Sequence, residues 1–242
     1  DKCKTSDLII ANNVLAHVPN IRDFVKGFSI LLKPNGVATF EFPHIYNLIK
    51  KKQFDTIYHE HFSYLSFTSV NNIFKNCGLK IFDVERIPTH GGSLRVYAQK
   101  QITGNMRKRK SVDTLMNYEK EKGIKSLSLY KNFQSKADKI SLDLNKFLKK
   151  TVLDKKRVIA YGAAAKGNTL LNYAGIKNDI IEFVVDENPA KQNRFMPGSG
   201  IPIVGEANII RYKPDYIIIL PWNLKDEIQL KLKYIRSWNG KF

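Results

Sequence analysis

The sequence predicts an α/β protein made of two successive units, and three observations carry that prediction. Near the start, DLIIA (7 to 11), NIRDFVKGFSILLK (20 to 33) and VATFEF (37 to 42) read as strand, helix, strand. Toward the end, RVIAYG, IIEFVVD and YIIIL are apolar runs separated by helical stretches, the pattern of a parallel sheet covered on both faces. Between them lies a charged stretch, Met106 to Val152, with Leu, Ile, Tyr and Phe at three- and four-residue spacing. The expected division is residues 1–100 and residues 101–242, and no residue-level repeat relates the two.

The first elements are justified in turn. DLIIA is short and apolar, the helix after it meets Pro34 and Gly36, and VATFEF alternates as a half-buried strand. FTSVNNIFKNCG reads as a helix closed by Gly78, while LKIFDVERI and GSLRVYAQK read as an antiparallel hairpin around Pro88 to Gly91. The middle stretch predicts two amphipathic helices parted near Gly123. The last third alternates strand and helix through three buried strands.

Composition narrows the function classes. The 242 residues are 43% hydrophobic and 11% aromatic, which suits a folded globular chain. No apolar run approaches the roughly 20 residues of a membrane span. The formal charge of +18 divides as +5, +8 and +5 over residues 1–100, 101–155 and 156–242, so no single basic patch dominates. The densest run, Arg107 to Lys110, has no interleaved aromatics, which argues against nucleic acid as a partner. A basic surface still favours a substrate carrying a diphosphate. No basic-then-apolar leader opens the sequence, and Cys3 and Cys77 have neither disulfide nor metal-ligand spacing, so a reducing, cytoplasmic setting is expected.

All five histidines lie in the first ninety residues. Two of them sit in Tyr58-His59-Glu60-His61, which gathers two imidazoles, a carboxylate and a phenol into one short loop, a set suited to acid-base chemistry. Alternation in an extended segment would turn His59 away from Glu60, unless the loop breaks the rule. A solvated surface turn is the plain alternative. Zinc is disfavoured, because HEH lacks the i, i+4 pairing of two histidines on one helical face. Asn13 and His17 are four apart after the first strand, so a helical turn there would aim both into one cleft. Asn12 or Asn13 would also serve as a cap, and His17 as a structural hydrogen-bonder.

In the second unit, Gly162-Ala-Ala-Ala-Lys-Gly167 follows a strand and opens a helix, so its amides can receive an anion. The motif is imperfect as a Walker A loop, since Lys166 precedes the second glycine and Asn168 follows it. It is imperfect as a dinucleotide fingerprint too, because Ala164 stands where a glycine belongs, although Asp186 after the next strand suits a ribose hydroxyl. Packing is the plain reading of these glycines.

Together YHEH, IIANNVLAHVPN (9 to 20), LLKPNGVATFEFP (31 to 43), THGGSLRVYA (89 to 98), YGAAAKGNTLLNY (161 to 173) and DENPAKQNRFMPGSGIPI (186 to 203) resemble, in order, segments of the sugar-nucleotide C-methyltransferases. That family methylates keto-deoxysugars from S-adenosylmethionine. The resemblance implies the C-terminal half of a Rossmann-like methyltransferase sheet followed by a second Rossmann-like α/β domain. It implies that His61 is the base, that Tyr58 and Glu60 bind or orient the substrate, and that Asn13 and His17 belong to the active site. Pro43, Gly91, Gly92 and Arg95 are similar to family positions, with Gly91 and Gly92 suited to the turn and Arg95 to a phosphate. Lys166 and Asn168, with Gly162 and Gly167, are implied contacts of the nucleoside-diphosphate keto-sugar. No glycine-rich loop precedes the first strand, and the family's N-terminal cysteine cluster for zinc is absent, so the chain is expected to be a fragment, inactive alone. The alternatives are an NAD-dependent sugar-nucleotide oxidoreductase or epimerase using GAAAKG and Asp186, and a non-catalytic sugar-nucleotide binding module.

Overall fold

The computed structural model describes residues 4–242; Cys3 lies outside the described residues. The chain forms two compact units. One comprises the chain up to Gln53 together with His59–Lys131, and the other comprises Phe54–Tyr58 and Asn132–Phe242.

In the first unit, β1 (Ser6–Asn12), α1 (Ile21–Leu31) and β2 (Leu32–Pro43) form the expected parallel crossover. Asn20 caps α1 by accepting the Asp23 amide. β2 starts earlier than the alternation suggests. Ser6 pairs with Leu32 and Leu8 with Val37, so Lys33 to Gly36 loop out, where Pro34 has no N–H to give the ladder. A β-carbon on Gly36 would lie 2.8 Å from the Ser6 carbonyl oxygen. After the short helix α2 (Ile45–Lys50), α3 (Phe67–Asn76) ends at Cys77 and Gly78, the latter at φ +80°. Then β3 (Leu79–Ile87) and β4 (Ser93–Lys100) form the antiparallel hairpin, and β4 inserts beside β2 to give the mixed order β1-β2-β4-β3.

Burial explains the layering. Val25 and Phe28 of α1 and Val70 and Phe74 of α3 pack against Ala38, Phe40, Leu94 and Val96 of the central strands. Phe24, Phe28, Phe40 and Phe74 form a chain of ring contacts through this core. The helix α4 (Lys110–Glu121) adds Val112 and Leu115 to the same core, and α5 (Leu127–Tyr130) follows. Residues up to Lys131 thus group with the first sheet, beyond the expected division at residue 100.

In the second unit, α6 (Phe133–Leu153) leads into β5 (Val158–Tyr161), α7 (Ala165–Tyr173), β6 (Val184–Val185), β7 (Ile203–Val204), α8 (Ala207–Tyr212), β8 (Tyr216–Ile219) and α9 (Lys225–Lys231). The four strands are parallel in the order β7-β6-β5-β8. Val158 and Ala160 face one core with Leu148 and Leu171, while Ile159 and Tyr161 face another with Ile217 and Ile228. Burial on both faces is why these strands read as unbroken apolar runs. Of IIEFVVD, only Val184 and Val185 form β6 itself, although the backbones of Glu182 and Phe183 also bond to β5 and that of Asp186 to Val204 of β7. A 3-10 turn from earlier in the chain, Phe54–Thr56, is buried in this unit, with Phe54 against Tyr173. Among the described residues, no helix is long and apolar enough to cross a membrane.

Candidate active site

The parallel pair β1 and β2 ends with Asn12 opposite Glu41, and the carboxyl end of parallel strands is where α/β sheets bind ligands. Asn13 follows in a left-handed conformation, φ 56°, with its N–H donating to the Glu41 carbonyl at 2.8 Å. Asparagine tolerates that conformation better than most residues. The corner is therefore a turn, closed by the His17 N–H to the Val14 carbonyl, and not the helical turn that the Asn13 and His17 spacing suggests. Buried Leu15 and Ala16 anchor it. Asn13 Oδ1 is buried and accepts no hydrogen bond, an acceptor held out of water at a cost of about 1–3 kcal/mol.

The YHEH loop is tied to this corner by backbone. The N–H groups of Phe62 and Ser63 both donate to the Ala16 carbonyl, at 2.9 and 3.2 Å. As a result the His17 and His61 rings lie edge to face with centroids 4.7 Å apart, both half-buried. The Tyr64 ring stands 6.0 Å from His61 and nearly perpendicular to it. His59 and Glu60 form an exposed turn, so the loop does break the alternation, and Tyr58 is half-buried as a member of the second unit.

Arg95 does not stand as a free cation for a phosphate. Its guanidinium pairs with buried Glu41 at 2.9 Å, opposite it across the β2–β4 ladder, and the Thr89 hydroxyl donates to the other Glu41 oxygen. Gly91 and Gly92 serve the turn, at φ +85° and +121°. The Gly91 carbonyl accepts from Lys51 and Gln53, and a β-carbon on Gly92 would strike Asn47 at 2.4 Å.

In the second unit, Gly162 sits at φ +93°, where a side chain would meet Pro221, and a β-carbon on Gly167 would lie 2.7 Å from Leu220. Both glycines thus have packing duties. Ala164 gives the start of α7 no side-chain cap. Lys166 on the first turn is within reach of Asn223 Oδ1 at 3.1 Å and lies 4.8 Å from the Trp222 ring centroid. Burial pushes its ammonium below the usual lysine range, against the opposing pull of Asp55. Asn168 Oδ1 is buried without a hydrogen bond. Asp186 stands after β6 as expected, but one oxygen accepts the Ala163 N–H and a Lys191 contact, and the other the Asn188 N–H. Its carboxylate braces the loop and is not left open for the ribose hydroxyl of the oxidoreductase alternative.

Two carboxylates escaped the sequence reading. Glu119 is fully buried and bonded to His44, Phe67 and Thr68, and Asp55 accepts the Trp222 indole N–H at 2.5 Å. Glu119 had a signal, because it continues the Val112 and Leu115 stripe of α4 at helical spacing. Asp55 had none. Among the described residues, no group of three or more His, Cys, Asp or Glu is arranged to hold a metal.

Comparison with known proteins identifies the relatives of this chain. A model of a methyltransferase domain matches residues 2–84, and a model of the C-methyltransferase C-terminal domain matches residues 88–242. The C-methyltransferase NovU of Streptomyces niveus is 34% identical over 235 residues, covering 97% of this chain and 56% of NovU. The chain thus spans little more than half the length of that relative. Solved structures are more distant. The N-methyltransferase NodS of Bradyrhizobium japonicum WM9, in complex with S-adenosyl-L-homocysteine, is 14% identical over 41% of this chain and 48% of its own, at a TM-score of 0.31. A putative methyltransferase in complex with the Haloferax volcanii Trm112 activator is 12% identical over 42% and 56%, at 0.35. Neither is close enough for a residue to be carried over. The C-terminal domain model covers well over half of the chain by itself, and the chain therefore belongs to the C-methyltransferase family.

Proposed function

We propose that this chain is the catalytic and C-terminal portion of an S-adenosylmethionine-dependent enzyme that methylates the carbon beside the ketone of a nucleoside-diphosphate 4-keto-deoxysugar. The observation that carries the reading is the His17 and His61 pair, 4.7 Å apart at the carboxyl end of two parallel strands. A carbon beside a ketone becomes nucleophilic only on losing a proton, so the reaction needs a base near neutrality, and imidazole meets that need. His61 takes the proton. His17 meets the His61 ring edge to face and fixes its plane, and Tyr58 and Glu60 orient the sugar from the same loop. Asn13 Oδ1 is an unused acceptor at this corner for a substrate hydroxyl or the cofactor.

The cofactor, when bound, supplies an electrophilic methyl group to the enolate carbon. The residues of this chain fit the substrate side of that reaction through the His17 and His61 pair. In the second unit, Lys166 and the uncapped start of α7, with Asn168, suit the diphosphate. The family of the chain and the name of its relative NovU support C-methylation; the sugar rests on resemblance.

Solvent deuterium uptake at the carbon beside the ketone tests the reading in the full-length enzyme, because enolisation needs only the base. His61→Asn is expected to lower uptake by about a hundredfold or more while nucleotide-sugar binding survives. Wild-type uptake in His61→Asn together with its loss in His17→Asn would make His17 the base.

A further inference from the structure

Glu119 lies on the buried stripe of α4 and shows no surface to solvent. Its carboxylate collects four donors: the Phe67 and Thr68 N–H groups at 2.7 Å each, the Thr68 hydroxyl at 2.5 Å, and His44 Nε2 at 2.7 Å. Phe67 and Thr68 open α3, where an ionised carboxylate also meets the positive end of the helix. An ionised carboxylate only accepts, so His44 Nε2 carries its proton. His44 directly follows β2, and the Ile45 N–H donates to the Leu65 carbonyl at 3.0 Å. The excursion of the chain that contains His61 therefore leaves at His44 and returns at Phe67, and a single carboxylate grips both ends.

We propose that Glu119 and His44 form a clasp that positions His61 against His17, a role that rests on His61 being the base of the proposed reaction. Neither residue touches the reacting atoms; both act on where the loop is held. The arrangement calls for a carboxylate. Glutamine in place of Glu119 would turn an N–H toward donors, and alanine would leave two helix-opening amides and an imidazole N–H without an acceptor. Placement of a base matters steeply, since a shift of about 1 Å can cost about a hundredfold in rate.

The test uses the full-length enzyme with a nucleoside-diphosphate 4-keto-deoxysugar and two substitutions at His44. His44→Gln keeps an N–H within reach of Glu119, whereas His44→Phe keeps ring volume and loses the bond. Two readouts are taken on folded protein: the ring resonances of His17 and His61 in histidine-labelled samples, and deuterium uptake with its substrate dependence. His44→Phe is expected to move both sets of ring resonances and slow uptake at least about tenfold at saturating sugar, with KM changed less, and His44→Gln to recover most of the loss. If His44→Phe does not fold, Glu119→Asp, which is too short to reach all four donors, is read the same way. Unmoved resonances at wild-type rate in His44→Phe, or His44→Gln as impaired as His44→Phe, would overturn the clasp. Moved resonances with unchanged uptake would uphold the clasp and count against His61 as the base.

Discussion

Glu119 in the first unit and Asp55 in the second are both buried carboxylates, and the two behave in opposite ways. Burial alone would raise the Glu119 carboxyl, but hydrogen bonds from His44, Thr68 and Phe67 outweigh it and hold the group below its ordinary 4.5. For Asp55 burial wins. Its one indole donor and the nearby Lys166 do not offset the loss of water, so its carboxyl rises above 3.8. Depth does not separate them, since both are buried. The number of donors does, because a carboxylate surrounded by N–H and O–H groups stays ionised and one with few partners tends toward the neutral form. The first unit thus carries a fixed negative charge as a structural pin, and the second carries a strained charge close to the lysine assigned to the diphosphate.

The largest effect that would break this comparison is expected at Glu119. Glu119→Ala orphans several buried donors at once and should cost about 3–5 kcal/mol, since each buried donor left without an acceptor costs about 1–3 kcal/mol. A urea titration followed by fluorescence would show an earlier transition. A loss below about 1 kcal/mol would mean that water or a neighbour replaces the carboxylate.

The contrast also bears on what the sequence could reveal. Apart from β1, whose Leu8 and Ile10 are exposed, the strands and long helices are legible in order because their periodicity is set by burial on one face or two. The YHEH loop and GAAAKG were legible because their residue types are chemically distinctive. Glu119 sat among Tyr118, Lys120 and Glu121, where acidic residues look like a solvated face, and only its place on the Val112 and Leu115 stripe set it apart. Its partners lie 51 to 75 residues away, and sequence spacing does not report such pairing. Asp55, between Phe54 and Thr56, offers no period at all. At the corner, the left-handed Asn13 leaves the i, i+4 spacing to His17 intact on paper and removes the helical turn in space.

A middle-sized effect is expected at Lys166. If this ammonium binds the diphosphate, Lys166→Ala should weaken nucleotide-sugar affinity by about tenfold at low salt, close to 1.4 kcal/mol, and flatten its salt dependence. Calorimetry of the full-length protein at two ionic strengths would measure both. Unchanged affinity at low salt would leave the lysine as packing for Trp222.

The smallest effect, and the one that most sharpens the comparison, is the response to acid. Glu119 has a lowered value in the folded protein, so its stabilisation is complete above 4.5 and is lost as pH falls through the lower folded value. Asp55 has a raised value, so its ionisation penalty is complete above the folded value and vanishes as pH falls toward 3.8. Acidification therefore weakens the first unit while relieving the second. Asp55→Asn should remove the penalty at pH 7, leaving stability unchanged or raised by up to about 1 kcal/mol, because the amide oxygen can still accept the Trp222 N–H. The gain should shrink as pH falls through the raised folded value toward 3.8 and the wild-type carboxyl becomes neutral. A loss of more than about 1 kcal/mol at pH 7 would show that the Asp55 charge is stabilised through Lys166, and the two carboxylates would then be pins of the same kind.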